Sequence, residues 1–73
     1  MTTFSNRLKE LRKNNHLSQK LLAEKVGIGE RTVQAYELEL RTPTSNVLIA
    51  LSNYFGVSTD YLLGLSNNPR RLE

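Results

Sequence analysis

Residues 30 to 35 read E-R-T-V-Q-A, and Glu30, Arg31, Gln34 and Ala35 among them have side chains that match the edges of base pairs. An arginine can hold guanine O6 and N7 bidentately, and a glutamine can hold adenine N6 and N7. A carboxylate can accept from cytosine N4, and an alanine methyl fits beside a thymine methyl. If the stretch is helical, a turn of about 100° per residue puts Val33 and Tyr36 on the inward side, with Thr32 on its border. Arg31, Gln34, Ala35 and Leu38 then point outward, and Glu30 lies at one edge near the helix start. A helix entering a major groove N-terminus first would touch bases with Glu30, Arg31, Gln34 and Ala35. Glu30 also repels phosphates, so its expected part is to select among sequences rather than to add affinity.

These side chains are useful only if the elements around them hold the helix out. Only Ile28 and Gly29 separate its start from the glycine that ends the preceding helix, Gly27. Gly27 accepts the left-handed backbone that closes a helix. So short a connection forces two helices to cross steeply, as in a helix-turn-helix unit. Ala23 supplies the small residue that a close crossing needs, and Leu22, Val26, Ile28, Val33 and Tyr36 supply the apolar flanks. The two glycines are not a nucleotide-binding loop, because no strand precedes them and the third glycine of G-x-G-x-x-G is absent. At the start of the second helix, free N–H groups behind the cap Ser18 suit a phosphate oxygen, and Gln19 can add a side-chain donor. Thr32 and Arg41 are further candidates for phosphate contacts, which fix register without reading sequence.

The rest of the chain reads as helices too, with no period-two alternation, so the expected fold is all-α. Phe4, Leu8 and Leu11 share one face of a first helix, capped by Thr3 and ended by Asn14-Asn15-His16. The second helix runs from Ser18 to Val26 and the third over about 30–38. Leu38 to Thr42 forms a polar loop that reaches Pro43. A fourth helix is predicted from Ser45 to Phe55, with Leu48, Leu51, Ser52 and Phe55 inward, and a fifth from Thr59 to Leu63, closed by Gly64. Residues 1–65 make one domain, and 66–73 a flexible tail or linker.

Composition narrows the chemistry. There is no cysteine and a single histidine, His16, so a metal centre is not expected, nor is a cofactor. No nucleophile–base pair is recognisable, which argues against an enzyme. No apolar run is long enough to span a membrane, and the reading is a cytoplasmic chain. The net charge is +3, but Arg70 and Arg71 lie in the expected tail and leave +1 without them. Up to Lys25, six basic residues (Arg7, Lys9, Arg12, Lys13, Lys20, Lys25) face two acidic ones (Glu10, Glu24), which suits a polyanion.

The stretch Q-K-L-L-A-E-K-V-G-I-G-E-R-T-V-Q-A-Y-E closely resembles the helix-turn-helix of the phage repressor/Cro (XRE-like) family. R-L-K-E-L-R, L-S-Q, L-A-E-K-V-G, Y-E and V-S-T-D-Y-L-L-G follow the family's order, and the resemblance covers roughly residues 4 to 65. It implies a five-helix domain that binds double-stranded DNA through its third helix, as a transcriptional regulator and most often a repressor. In the family, the glutamine matching Gln19 lies at the DNA backbone, and an ion pair matching Arg12 and Glu37 joins the first helix to the end of the third. Related proteins bind as homodimers on inverted half-sites, and the resemblance points to Tyr61, Leu62 and Leu65 as dimer surface. Four positions depart from the pattern. Glu39 replaces the usual glycine after Y-E-x, His16 the usual glycine before L-S-Q, Gly29 the usual Ser or Thr cap, and Leu21 a commonly polar residue. The competing reading is a protein-binding module on the same fold, with Leu21, Tyr61 and L-L-G-L as apolar contact.

Overall fold

The computed structural model describes residues 2–71. It contains α1 (Phe4–Asn14), α2 (Gln19–Val26), α3 (Glu30–Glu37), α4 (Ser45–Phe55) and α5 (Thr59–Leu62), with no strand among the described residues. The all-α expectation holds. Leu38 and Leu63, expected inside α3 and α5, instead stand just past their ends as caps.

Four of the five helices begin with a hydroxyl that accepts from a backbone N–H in the first turn. Thr3 accepts from Asn6, Ser18 from Leu21, Thr44 from Val47 and Ser58 from Tyr61. Each such cap contributes about 1 kcal/mol. The exception is α3, where Gly29 has no side chain to offer.

All five helices end alike. A left-handed residue follows the last turn, and the N–H after it donates to the carbonyl five residues back. These bonds are Leu17 to Arg12, Ile28 to Ala23, Leu40 to Ala35, Val57 to Ser52 and Leu65 to Asp60, at 2.8–3.1 Å. Three of the left-handed residues are glycines, but the other two are His16 (φ 58°) and Glu39 (φ 62°). Two of the four family departures are therefore backbone positions first and side-chain positions second. A side-chain-bearing residue there costs about 1–2 kcal/mol, partly offset by glycine's larger entropy loss on folding. Glu39→Gly is expected to stabilise by about 0.5–1 kcal/mol and raise Tm by roughly 2–8 °C. A lower Tm would mean the Glu39 side chain makes contacts that outweigh the relieved backbone.

The helices pack in a closed ring: α1 on α3, α3 on α2, α2 on α4, α4 on α5, and α5 back on α1. Inside it lie Leu8, Leu22, Ala23, Val33, Tyr36, Leu51, Val57 and Leu62. Phe4 meets Tyr36 edge-to-face at 5.6 Å between ring centroids, and the Ser5 hydroxyl donates to the Tyr36 carbonyl, so α1 grips α3 twice. On the other side of α1, Arg7, which the sequence reading counted only as one of the basic residues suited to a polyanion, is buried. Its guanidinium carbon lies 3.6 Å from the Tyr61 ring centroid, a cation–π contact that ties α1 to α5.

Sequence suggested no contacts for the tail, yet its described part folds back on the domain. The Ser58 N–H, which has no acceptor within α5, donates to the Pro69 carbonyl at 3.0 Å. Arg71 donates to Asn53 Oδ1 at 2.8 Å. Leu72 and Glu73, the end of the expected tail, lie outside the described residues.

Candidate nucleic-acid interface

Helix α3 is held from behind. Val33, Tyr36 and Glu37 are buried, so the rotation of the helix about its axis is set by the core. That rotation leaves Glu30 and Arg31 exposed, with Gln34, Ala35 and the border residue Thr32 half-buried. Leu38 continues the outward face at 67% exposed. At the start of α2, Ser18 is exposed and Gln19 half-buried.

The Arg12–Glu37 pair lies beneath these groups. Arg12 Nε donates to Glu37 Oε2 at 2.6 Å and Nη2 to Oε1 at 3.0 Å, so the pairing is bidentate. Arg12 Nη1 donates to the Leu17 carbonyl at 2.9 Å, which ties the pair to the α1–α2 connection. The side chains are only 12% and 3% exposed, so the pair is withdrawn from solvent. The hydrogen bond to Glu37 raises the Arg12 pKa above its ordinary value; burial opposes this, and the Glu37 charge adds to it. The guanidinium therefore stays charged throughout the working range.

Gln19 reaches the same carboxylate, with Nε2 donating to Glu37 Oε1 at 3.1 Å. Gln19 and Gln34 line one cleft together with Lys9, Glu37 and Leu38. A candidate phosphate-facing group and a candidate base-facing group thus meet at the joint of α1, α2 and α3. Lys9, read in the sequence only as one of six basic residues, is placed in this cleft by the fold. The signal was present, since Lys9 precedes Arg12 by three residues and so shares its helical face. Arg41 is exposed but lies apart from this cleft, lining a groove with Phe4, Glu39, Pro43 and Leu63.

The suggested dimer surface needs one correction. Leu62 is fully buried in the core and is not a surface group. With α5 only four residues long, an apolar run Tyr61-Leu62-Leu63 has no pattern that separates inside from outside. Leu65 is 68% exposed, and Tyr61 is half-buried under Arg7.

No group of three or more metal-ligating side chains occurs among the described residues, and no helix among them is long and apolar enough to cross a membrane.

Comparison with known proteins agrees with this geometry. A model of the helix-turn-helix family matches residues 8–62. The HTH-type transcriptional regulator ImmR of Bacillus subtilis is 45% identical over 71 residues, which is 97% of this chain and 56% of ImmR. Among solved structures, the P22 c2 repressor in complex with a synthetic operator superposes with a TM-score of 0.84 at 27% identity, covering 90% of this chain and all of that one. A SinR protein–SinI protein complex contains a chain with a TM-score of 0.77 at 31% identity, covering 84% of this chain and 60% of that one. The chain spans 49–59% of the length of the curated relatives it matches. With its five-helix ring, its exposed α3 face and a match over three quarters of its length, the chain belongs to the helix-turn-helix family, in its phage repressor/Cro (XRE-like) branch.

Proposed function

We propose that this chain is the DNA-binding domain of a transcriptional regulator, a repressor by kinship, that reads duplex DNA by inserting α3 into the major groove. One observation carries the reading: the core clamps the inner face of α3 and leaves Glu30 and Arg31 exposed, with the half-buried Gln34 and Ala35 beside them, as a set of hydrogen-bonding and methyl groups. Arg31 would take guanine, Gln34 adenine, Glu30 a cytosine amino group and Ala35 a thymine methyl. The α2 N-terminus behind Ser18, together with Gln19, Thr32 and Arg41, would anchor the phosphates. The protein would work in the cytoplasm as a homodimer on inverted half-sites, about one helical turn apart. Leu65 and Tyr61 remain as candidate dimer contacts. Kinship with ImmR and with the operator-bound P22 c2 repressor supports this reading.

A protein-binding role has its own observation, since Leu38 and Leu40 are 67% and 72% exposed beside α3. Selection of binding sites from random duplex DNA separates the two. Enrichment of a symmetric motif supports the DNA reading and the dimer together, and no enrichment leaves the protein partner. On the selected site, Gln34→Ala is expected to lose roughly 1–3 kcal/mol at a subset of base positions. An equal loss on every sequence would make Gln34 a backbone contact.

A further inference from the structure

Glu37 makes one bond more than an ion pair requires. Its Oε1 accepts from Arg12 Nη2 at 3.0 Å and also from Gln19 Nε2 at 3.1 Å. A carboxylate only accepts, so it decides which end of the Gln19 amide turns inward: nitrogen toward Glu37, oxygen away. One of the two amide hydrogens is used in that bond, and the other stays free at the cleft that Gln19 shares with Lys9 and Gln34. Without Glu37, a half-exposed glutamine on the first turn of α2 would sample several rotamers and both amide orientations. Only some of these would turn a donor toward a phosphate. The carboxylate is itself fixed, 3% exposed and gripped by two Arg12 nitrogens.

We propose that Glu37 is a positioning residue for the Gln19 contact with the DNA backbone, and that the buried Arg12–Glu37 pair fixes the amide in its donating orientation before DNA arrives. The inference rests on the DNA-binding reading above. It makes the pair part of the recognition surface at one remove, joining α1, the α2 start and the end of α3 in one hydrogen-bonded chain. Fixing a side chain in its bound form is worth about 3- to 10-fold in affinity.

The test is a double-mutant cycle on the selected duplex, with Gln19→Ala on one side and the apolar pair replacement Arg12→Met with Glu37→Leu on the other. Replacing both charges together costs much less stability than removing one, and thermal melting checks that each variant is folded. Each change alone is expected to weaken binding by about 3- to 10-fold, and the combined variant no further than either. A folded pair variant with parental affinity would overturn the proposal, as would losses that multiply. A second readout needs no DNA. The two Gln19 side-chain amide proton resonances should be well dispersed in the parent and collapse toward free-glutamine positions in the pair variant. Unchanged resonances would overturn the positioning role even if the parent selected no duplex at all, an outcome that separately defeats the DNA reading. If the pair variant does not fold, the parent alone decides: Gln19 amide resonances at free-glutamine positions would overturn the positioning role, and dispersed ones support it.

Discussion

Glu37→Ala is expected to lower Tm by roughly 12–40 °C, the largest effect of any single substitution outside the apolar core. The carboxylate is 3% exposed and accepts three hydrogen bonds, two from Arg12 and one from Gln19. Truncation leaves the Arg12 guanidinium in a withdrawn site with the Leu17 carbonyl as its remaining partner. Removing one partner of such a pair costs about 3–5 kcal/mol, against a total of roughly 4–11 kcal/mol for a domain of this length. Much of this cost reflects the stranded charge rather than the worth of the bond. For that reason Arg12→Met with Glu37→Leu should melt much closer to the parent than Glu37→Ala does. A Glu37→Ala melting curve that superposes on the parent's would show that solvent reaches the pair.

Gly64→Ala is the second large effect. Gly64 has φ +78°, and a Cβ there would overlap the backbone carbonyl of Thr2, which has no side-chain rotation to escape by. Gly56 has φ +68° with nothing within 4 Å of a Cβ, so Gly56→Ala measures the conformational cost alone. That cost is about 1–2 kcal/mol. Gly64→Ala should exceed it by at least about 1 kcal/mol, as strain in a packed site commonly does, and should loosen the N-terminus from the end of α5. Equal destabilisation in the two variants, read by denaturant titration, would mean that Thr2 does not lie against Gly64 in solution.

Local features of the fold were legible in the sequence. Hydroxyl caps at Thr3 and Ser18 and glycine stops at Gly27, Gly56 and Gly64 are encoded within a few residues of the ends they set, so the five helices could be placed to within about one residue. The outward side of α3 followed from the positions of Val33 and Tyr36 alone. What stayed hidden depends on distance or on backbone. Glu39 drew attention by its charge, whereas its left-handed backbone explains why relatives prefer glycine there; at His16, which tolerates that backbone better than most residues, the helix stop was legible. Gln19 and Glu37 are 18 residues apart, and only the crossing of α2 and α3 brings them together. Arg7 was counted with the basic residues suited to a polyanion because its partner, the Tyr61 ring, comes from the far end of the chain.

If Glu30 reads a base as proposed, the uncapped start of α3 ties operator choice to fold maintenance. Gly29 offers no oxygen to the first turn, and the one acidic residue in that turn is Glu30, whose charge favours the positive end of the helix. The same side chain faces outward where a base pair would be read. On that reading, a lineage that changed Glu30 to retarget its operator would give up part of what steadies α3. Gly29 has φ −78°, which any residue adopts, and a Cβ there would meet only Thr32 Oγ1 at an ordinary 3.7 Å. Serine at 29 would restore the missing cap and free position 30 to drift, so on the same reading evolution toward new operators would have an open first step one residue upstream of the proposed contact.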